Sequence, residues 1–378
     1  MSDRYDVIVV GVGGMGSATV AELADRGVDV LGLERYDVPH GYGSSHGITR
    51  IIRLAYYEGP DYVPLLRRAY ERWNDLEAEH DRKLLYRTGS IDAGPPDDPL
   101  VDGSERSCEE HGLEYERLTA AEIRERFPGY DLPEGYEGIY QPEGGFLVPE
   151  RCIVAHVDRA HDRGATIRAR ERVLEWESTA DGVRVETDRG SYEADSIVFT
   201  AGAWTGRFVD DLADVLVPER QVLAWLQPEE PAHFTPDSHP VWNLQVPEGR
   251  FYGFPVYGVP GFKFGKYHHR EEAVDPETMN REPTREDERV LREFAERYFP
   301  TGTGPTMRLK TCLFTNTPDE HFVVDTLPDR PRVVVGAGFS GHGFKFASAM
   351  GEVLADLALE GETDHEIGMF ACDRFDRE

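Results

Sequence analysis

The sequence predicts an α/β fold (α+β overall). A parallel-sheet nucleotide-binding domain is assembled from separate stretches of chain, beside a second, mixed and largely antiparallel domain. Three observations predict it. A short β-branched run, Asp6-Val-Ile-Val-Val10, leads straight into Gly11-Val-Gly13-Gly-Met-Gly16. Two similar runs, Asp195-Ser-Ile-Val-Phe-Thr-Ala-Gly202 and Arg332-Val-Val-Val-Gly-Ala-Gly338, lie far along the chain and suit the same sheet. The stretches at about 84–146 and 217–320 are less regular and rich in Pro, Tyr and Trp, with strand-like pieces at 220–226 and 250–255. The nucleotide domain is therefore expected over 1–83, 147–216 and 321–378, and the second domain over 84–146 and 217–320. A length of 378 residues suits two domains.

The first unit reads as strand, turn, helix and strand. Residues 17–26 are helix-like and stop at Gly27; residues 28–33 form a second strand ending at Glu34. Gly11 permits the tight turn, Gly13 lets backbone approach a pyrophosphate, and Gly16 lets helix and strand pack closely, as in a Rossmann-type unit. The helix N-terminus faces the phosphates, and Glu34 accepts from ribose hydroxyls. The pattern indicates a dinucleotide but does not distinguish NAD from FAD. A helix-like segment at 344–359 follows the last glycine-rich turn.

Composition narrows the partners. With 41 basic against 71 acidic residues the formal charge is −30, which repels nucleic acid and anionic membrane surfaces. No apolar run approaches the roughly 18 residues needed to span a bilayer. An aromatic content of 11% and periodic apolar segments argue against disorder. The spread acidity, with only five lysines (Lys83, Lys263, Lys266, Lys310 and Lys345), is expected of a salt-adapted, halophilic surface, although genome composition produces the same skew. The four cysteines show no metal-site spacing, no H-E-x-x-H occurs, and the N-terminal residues lack a signal-peptide pattern, so a cytoplasmic, metal-free protein is expected.

Three constellations could carry chemistry. The first is His46-Gly-Ile-Thr49-Arg50-Ile-Ile-Arg53; if helical, His46, Arg50 and Arg53 share one face and form an anion site, unless they are a solvated basic face. The second is Tyr252-Gly-Phe-Pro followed by Gly261-Phe-Lys263-Phe-Gly-Lys266-Tyr267-His268-His269. On a strand Lys263 faces opposite to Phe262 and Phe264, where an edge-guarding lysine is the plainer alternative. The third is Cys312-Leu-Phe314-Thr-Asn-Thr-Pro-Asp-Glu-His-Phe322 with Gly336-Ala-Gly-Phe-Ser-Gly341-His342-Gly-Phe-Lys345. There a helix start and a lysine would stabilise a developing anion, unless they are a buried free thiol and a structural turn.

Together these strings resemble the monomeric sarcosine oxidase / N-methyltryptophan oxidase family of FAD-dependent amine oxidases, in the D-amino-acid-oxidase fold group. The resemblance covers essentially the whole chain in order. It implies FAD held covalently through Cys312, a secondary N-methyl amino acid as substrate, O₂ as oxidant and a monomer. Oxidation would give an imine that water splits to formaldehyde and a primary amino acid, with H₂O₂ formed. Arg53 and Lys345 match residues that clamp the substrate carboxylate, and Lys263 matches the lysine that promotes reaction with O₂. Tyr252 matches an active-site tyrosine, and His46 and Arg50 match residues beside the flavin ring. The catalytic set implied is thus Arg53, Lys263, Lys345, Tyr252, His46, Arg50 and His268. The cofactor set adds Gly11, Gly13, Gly16, Glu34, Arg35, Gly202, Cys312, Gly338, Ser340, Gly341 and Gly343 to His46, Arg50 and Lys345.

The sequence departs from the family pattern at several points. Phe314 replaces a tyrosine, Ser45 and Ile48 replace a histidine and an aspartate, and an apparent insertion leaves Tyr267 or His268 for the active-site histidine position. A more apolar pocket then favours an N-methyl or cyclic amino acid bulkier than sarcosine. The alternatives are a dehydrogenase of the same fold that passes electrons to a carrier, and a non-catalytic flavin-binding protein.

Overall fold

The computed structural model describes residues 3–375. The strand Asp3–Val10 is central to an eight-stranded sheet, paired in parallel with Ser191–Phe199 on one side and Val30–Leu33 on the other. Thr166–Arg168 extends one edge in parallel. On the other edge Arg330–Ala337 pairs in parallel with the C-terminal half of Ser191–Phe199, and Gly182–Thr187 pairs antiparallel with its N-terminal half. The two distant valine-rich runs thus join the first strand in one sheet, because their apolar residues can be buried on both faces.

Four parallel strands end side by side. Val10, Leu33, Phe199 and Ala337 pass there into Gly11, Glu34, Thr200 and Gly338. Ligands of parallel sheets bind at this C-terminal edge. Helix Gly14–Asp25 packs against Pro149–Asp162 and Ala347–Glu360 on one face of the sheet.

A second eight-stranded sheet has the strand order Thr306–Asn316, Val217–Leu226, Val259–Lys266, Gly249–Tyr257, Val241–Val246, Ser90–Gly94, Glu137–Gln141 and Glu116–Thr119. Every pairing is antiparallel except that of Val241–Val246 with Ser90–Gly94. Pro255 sits at a register shift, where no ladder N–H is needed. Phe251, Phe262 and Phe264 face one core with Phe294 and Phe299, so the alternating residues on the opposite face are free to build a site.

One local expectation is corrected. Arg50-Ile-Ile is a strand paired with Gly145–Leu147, not a helix, as suits two adjacent β-branched residues. Arg50 and Arg53 therefore do not share a helical stripe and are directed to different partners. The stretch at 84–146 is also more regular than expected. Helix Pro99–His111 starts where the Asp98 side chain accepts from Leu100 N, and ends at left-handed Gly112.

Candidate active site

The glycine-rich turn at the edge of the first sheet is fixed by close approach. A Cβ on Gly16 would lie 1.8 Å from the Gly11 carbonyl oxygen, and Gly11, at φ +93°, abuts the Thr200 carbonyl. A Cβ on Gly13 would meet no protein atom within 4 Å, because Gly13 faces a cleft of about 400 Å³. The first amides of helix Gly14–Asp25 precede any intrahelical acceptor and stand at this cleft. Buried Glu34 accepts from Val12 N at 3.0 Å and Tyr36 N at 2.9 Å, which fixes its carboxylate at the mouth. Arg35 also lines the cleft and is bound by both oxygens of Glu277.

Gly202, Gly338, Ser340, Gly341 and Gly343 line the same cleft from two other turns. Gly341, at φ +77°, has room only for hydrogen because the Phe314 ring would lie 2.5 Å from a Cβ. Ser340 Oγ accepts from Thr317 N and donates to the Gly338 carbonyl, tying this turn to the strand that carries Cys312.

Arg50 reaches the cleft beside the second sheet. It donates to the Ser44 carbonyl at 2.6 Å and lies 3.6 Å from Cys312 Sγ. His46 is buried nearby with neither ring nitrogen partnered; burial, and then Arg50, pushes its pKa far down, so the ring is neutral. Lys263 projects from the strand face opposite Phe262 and Phe264, as its alternation requires. Its Nζ donates to the Thr49 carbonyl at 2.6 Å and to Thr49 Oγ1 at 3.1 Å, with the Phe254 ring 4.2 Å away. Burial and the Arg50 charge depress this ammonium strongly.

Arg53 turns to a separate buried cluster. Its guanidinium donates to Glu58 Oε2 at 2.7 Å, lies 3.5 Å from Asp92 Oδ2, and packs on the rings of Tyr56 and Tyr57. Lys345 Nζ donates to the His342 carbonyl at 2.6 Å, and Tyr56 Oη contacts His342 Nδ1 at 2.6 Å. Burial, with Arg53 nearby, pushes the Lys345 ammonium down to about 7. Burial alone would raise the Glu58 carboxyl, but Arg53, His342 and Lys345 bring it down to about 2. Asp92 is held by Ser104 Oγ at 2.7 Å and Asn243 Nδ2 at 2.6 Å, and burial still pushes its carboxyl up.

Tyr252 and Tyr267 meet edge to face with centroids 4.9 Å apart, and Tyr267 also faces Phe314 at 5.9 Å. His268 is not brought to this aromatic group. It bridges Glu219 at 2.7 Å and Glu320 at 3.0 Å, and those two carboxylates raise it to about 9. Of the two residues considered for the histidine position, Tyr267 is therefore the one beside Tyr252. Sequence reasoning missed Asp92, Glu58, Tyr57 and Arg250. Glu58 and Tyr57 follow Arg53 closely, but Asp92 and Arg250 arrive from other strands and carry no local signal.

These features define a two-sheet, dinucleotide-binding redox protein with a nucleotide cleft at the edge of the first sheet, Lys263 buried on the second, and a further buried pair of cations, Arg53 and Lys345, on the connecting segments. The chain belongs to the FAD dependent oxidoreductase (DAO) family, whose sequence profile matches residues 6–357. It is 42% identical over 379 residues to the monomeric sarcosine oxidase of Bacillus sp. (strain B-0618), covering 99% of this chain and 97% of that one. It is 35% identical to N-methyl-L-tryptophan oxidase of Yersinia pestis (strain Pestoides F), covering 98% and 99% of the two chains. The open form of NikD, described as an unusual amino acid oxidase essential for nikkomycin biosynthesis, superposes with a TM-score of 0.85 at 31% identity, covering 98% of each chain.

The residues present fit FAD. Gly13 faces open space where a pyrophosphate needs it, Glu34 stands where a ribose would lie, and unpartnered His46 nitrogens are buried near Arg50, which lines the cleft. Among the described residues, no helix is long and apolar enough to cross a membrane.

Proposed function

We propose that this protein oxidises secondary, N-methyl amino acids with FAD and O₂. The observation that carries the reading is a pair of buried cations, Arg53 and Lys345, in one cluster, together with a buried lysine, Lys263, near Arg50 and Cys312 in another. The sarcosine and N-methyltryptophan activities named for the relatives support it. FAD, when bound, supplies the two-electron acceptor. Gly11, Gly13, Gly16 and Glu34 would hold its adenosine diphosphate half, and the turn from Gly338 to Gly343 with His46 and Arg50 would hold its ring.

Arg53 and Lys345 bind the substrate carboxylate and so orient the N-methyl group. Neutral His342 fixes the phenol of Tyr56 beside Lys345. Tyr252, Tyr267 and Phe314 wall the site and exclude water. The amine loses two electrons and two protons to give an imine, and hydrolysis releases formaldehyde and the primary amino acid. O₂ accepts the electrons and protons as H₂O₂, and Lys263, anchored on Thr49, places a cation or proton donor where the charge of reduced oxygen develops.

Cys312 is proposed as the covalent attachment point, with the Arg50 guanidinium 3.6 Å from its sulfur. The chain is further proposed to act as a monomer in the cytoplasm. An H₂O₂-coupled screen of N-methyl and cyclic amino acids tests the reaction. Equimolar H₂O₂ and formaldehyde are expected from N-methyl substrates, whereas turnover that requires an artificial electron carrier would favour a dehydrogenase. Acid precipitation should leave yellow flavin on the wild-type polypeptide and release it from Cys312→Ala.

A further inference from the structure

Arg250 feels the carboxylates of Glu58 and Glu320 only at longer range. It makes no ion pair among the described residues, although the surface arginines of this acidic chain are mostly engaged by carboxylates. Its Nε is buried with no hydrogen-bond partner. Arg250 shares one face of the strand Gly249–Tyr257 with Tyr252 and Phe254, the face turned toward Lys263. Its guanidinium lies 5.0 Å from the centroid of Tyr57 and 5.5 Å from that of Tyr267. The Tyr57 ring also carries Arg53, at 4.3 Å, so two guanidiniums pack on one phenol.

Buried polar atoms without partners gather here: Arg53 Nε, Glu58 Oε1 and Arg250 Nε. Such groups ordinarily have partners, so a cluster of them marks a place where a polar ligand completes the bonding. The acids nearby are already committed. Glu58 and Asp92 pair with Arg53, and Glu320 pairs with His268. What the cluster lacks is a partner for Arg250 itself, which a side-chain carboxylate supplies and the neutral side chain of a simple N-methyl amino acid does not.

We propose that Arg250 receives a side-chain carboxylate of the substrate, so that the preferred substrates are N-methyl amino dicarboxylates such as N-methylglutamate and N-methylaspartate. The α-carboxylate goes to Arg53 and Lys345, and the distal carboxylate reaches Arg250 along the wall made by Tyr57 and Tyr267. This rests on the N-methyl amino acid oxidase reading above and names its substrate class.

The test uses the holoenzyme. The ratio of kcat/KM for N-methyl-L-glutamate to that for N-methyl-L-glutamine should be about 10 to 100 in the wild type, the value of one charge-assisted hydrogen bond. It should fall to about 1 in Arg250→Met and be partly restored in Arg250→Lys. A ratio near 1 in the wild type, or one unchanged in Arg250→Met, overturns the proposal. Binding of glutarate and butyrate, read from the visible absorbance of the bound flavin, needs no variant. Glutarate should bind at least about 10-fold more tightly, and equal affinity overturns the proposal. If no N-methyl compound reduces the flavin, the oxidase reading fails while the glutarate comparison still decides the role of Arg250.

Discussion

Lys345 and Lys263 are two buried lysines whose surroundings suit different tasks. Lys345 is pushed down to about 7, so it is charged below that pH and neutral above it. A carboxylate partner needs the charged form, so affinity should be retained below about pH 7 and lost as pH rises through it. A non-oxidisable carboxylate such as propionate isolates this effect from amine ionisation. Its dissociation constant, measured by flavin absorbance, should weaken by about 10-fold per pH unit above the midpoint, and Lys345→Met should bind weakly with no such pH dependence. Lys263 donates both its hydrogen bonds to Thr49 and none to an acid, so no carboxylate competes for it as the cation or proton donor on the oxygen side of the reaction. Lys263→Met should slow reoxidation of the reduced enzyme by about 100-fold while reduction by substrate changes far less. Stopped-flow measurement of the two half-reactions separates them, and equal losses in both would remove the oxygen role.

The glycine turns make the matching argument for the elements. Gly16→Ala drives a Cβ onto the Gly11 carbonyl and must displace either helix Gly14–Asp25 or the strand before it. A loss of about 1–3 kcal/mol is expected, read as a lower Tm with or without cofactor. Gly13→Ala meets no protein atom, so the fold should hold, while flavin retained per polypeptide should fall because the methyl group enters the cleft. Equal behaviour of the two variants would mean that Gly13 does not face the cofactor. The turn around Gly11 to Glu34 was legible in the sequence because most of its constraints are local, an adjacent backbone approach, one helix start and one strand end, with only the approach of Gly11 to the Thr200 carbonyl coming from elsewhere. Lys263 was legible for the same reason, since alternation along one strand already separates it from Phe262 and Phe264. The clamp was less so. Arg53 stood in a motif, but the helical spacing assigned to it failed because Ile51 and Ile52 pair as a strand with Gly145–Leu147. Asp92 and Arg250 come from other strands of the second sheet, and only tertiary pairing brings them to Arg53 and Tyr57.

Over the whole molecule, the charge of −30 and the cation cluster occupy different dielectric environments and respond differently to salt. The surface carries many exposed pairs, such as Arg170 with Asp37 and Arg289 with Glu286 and Glu293, each worth little in water. The unpaired excess of acids repels itself across distances comparable with the Debye length of about 10 Å at 0.1 M salt, and that length shrinks to about 3 Å at 1 M. Screening removes weak attractions and a larger sum of repulsions together, so stability should rise with salt. Between 0.1 and 1 M NaCl the Tm of the holoenzyme should increase by roughly 5 °C, a few kcal/mol of relieved repulsion for a chain of this size. Arg53, Lys345 and Asp92 are buried and Glu58 is largely covered, so their mutual interactions are screened little. Added salt should therefore leave the pH midpoint for propionate binding near 7 while the Tm climbs. A Tm that falls with NaCl would mean that the surface ion pairs outweigh the excess of acids. A midpoint that moves with the salt would mean that the clamp is open to solvent.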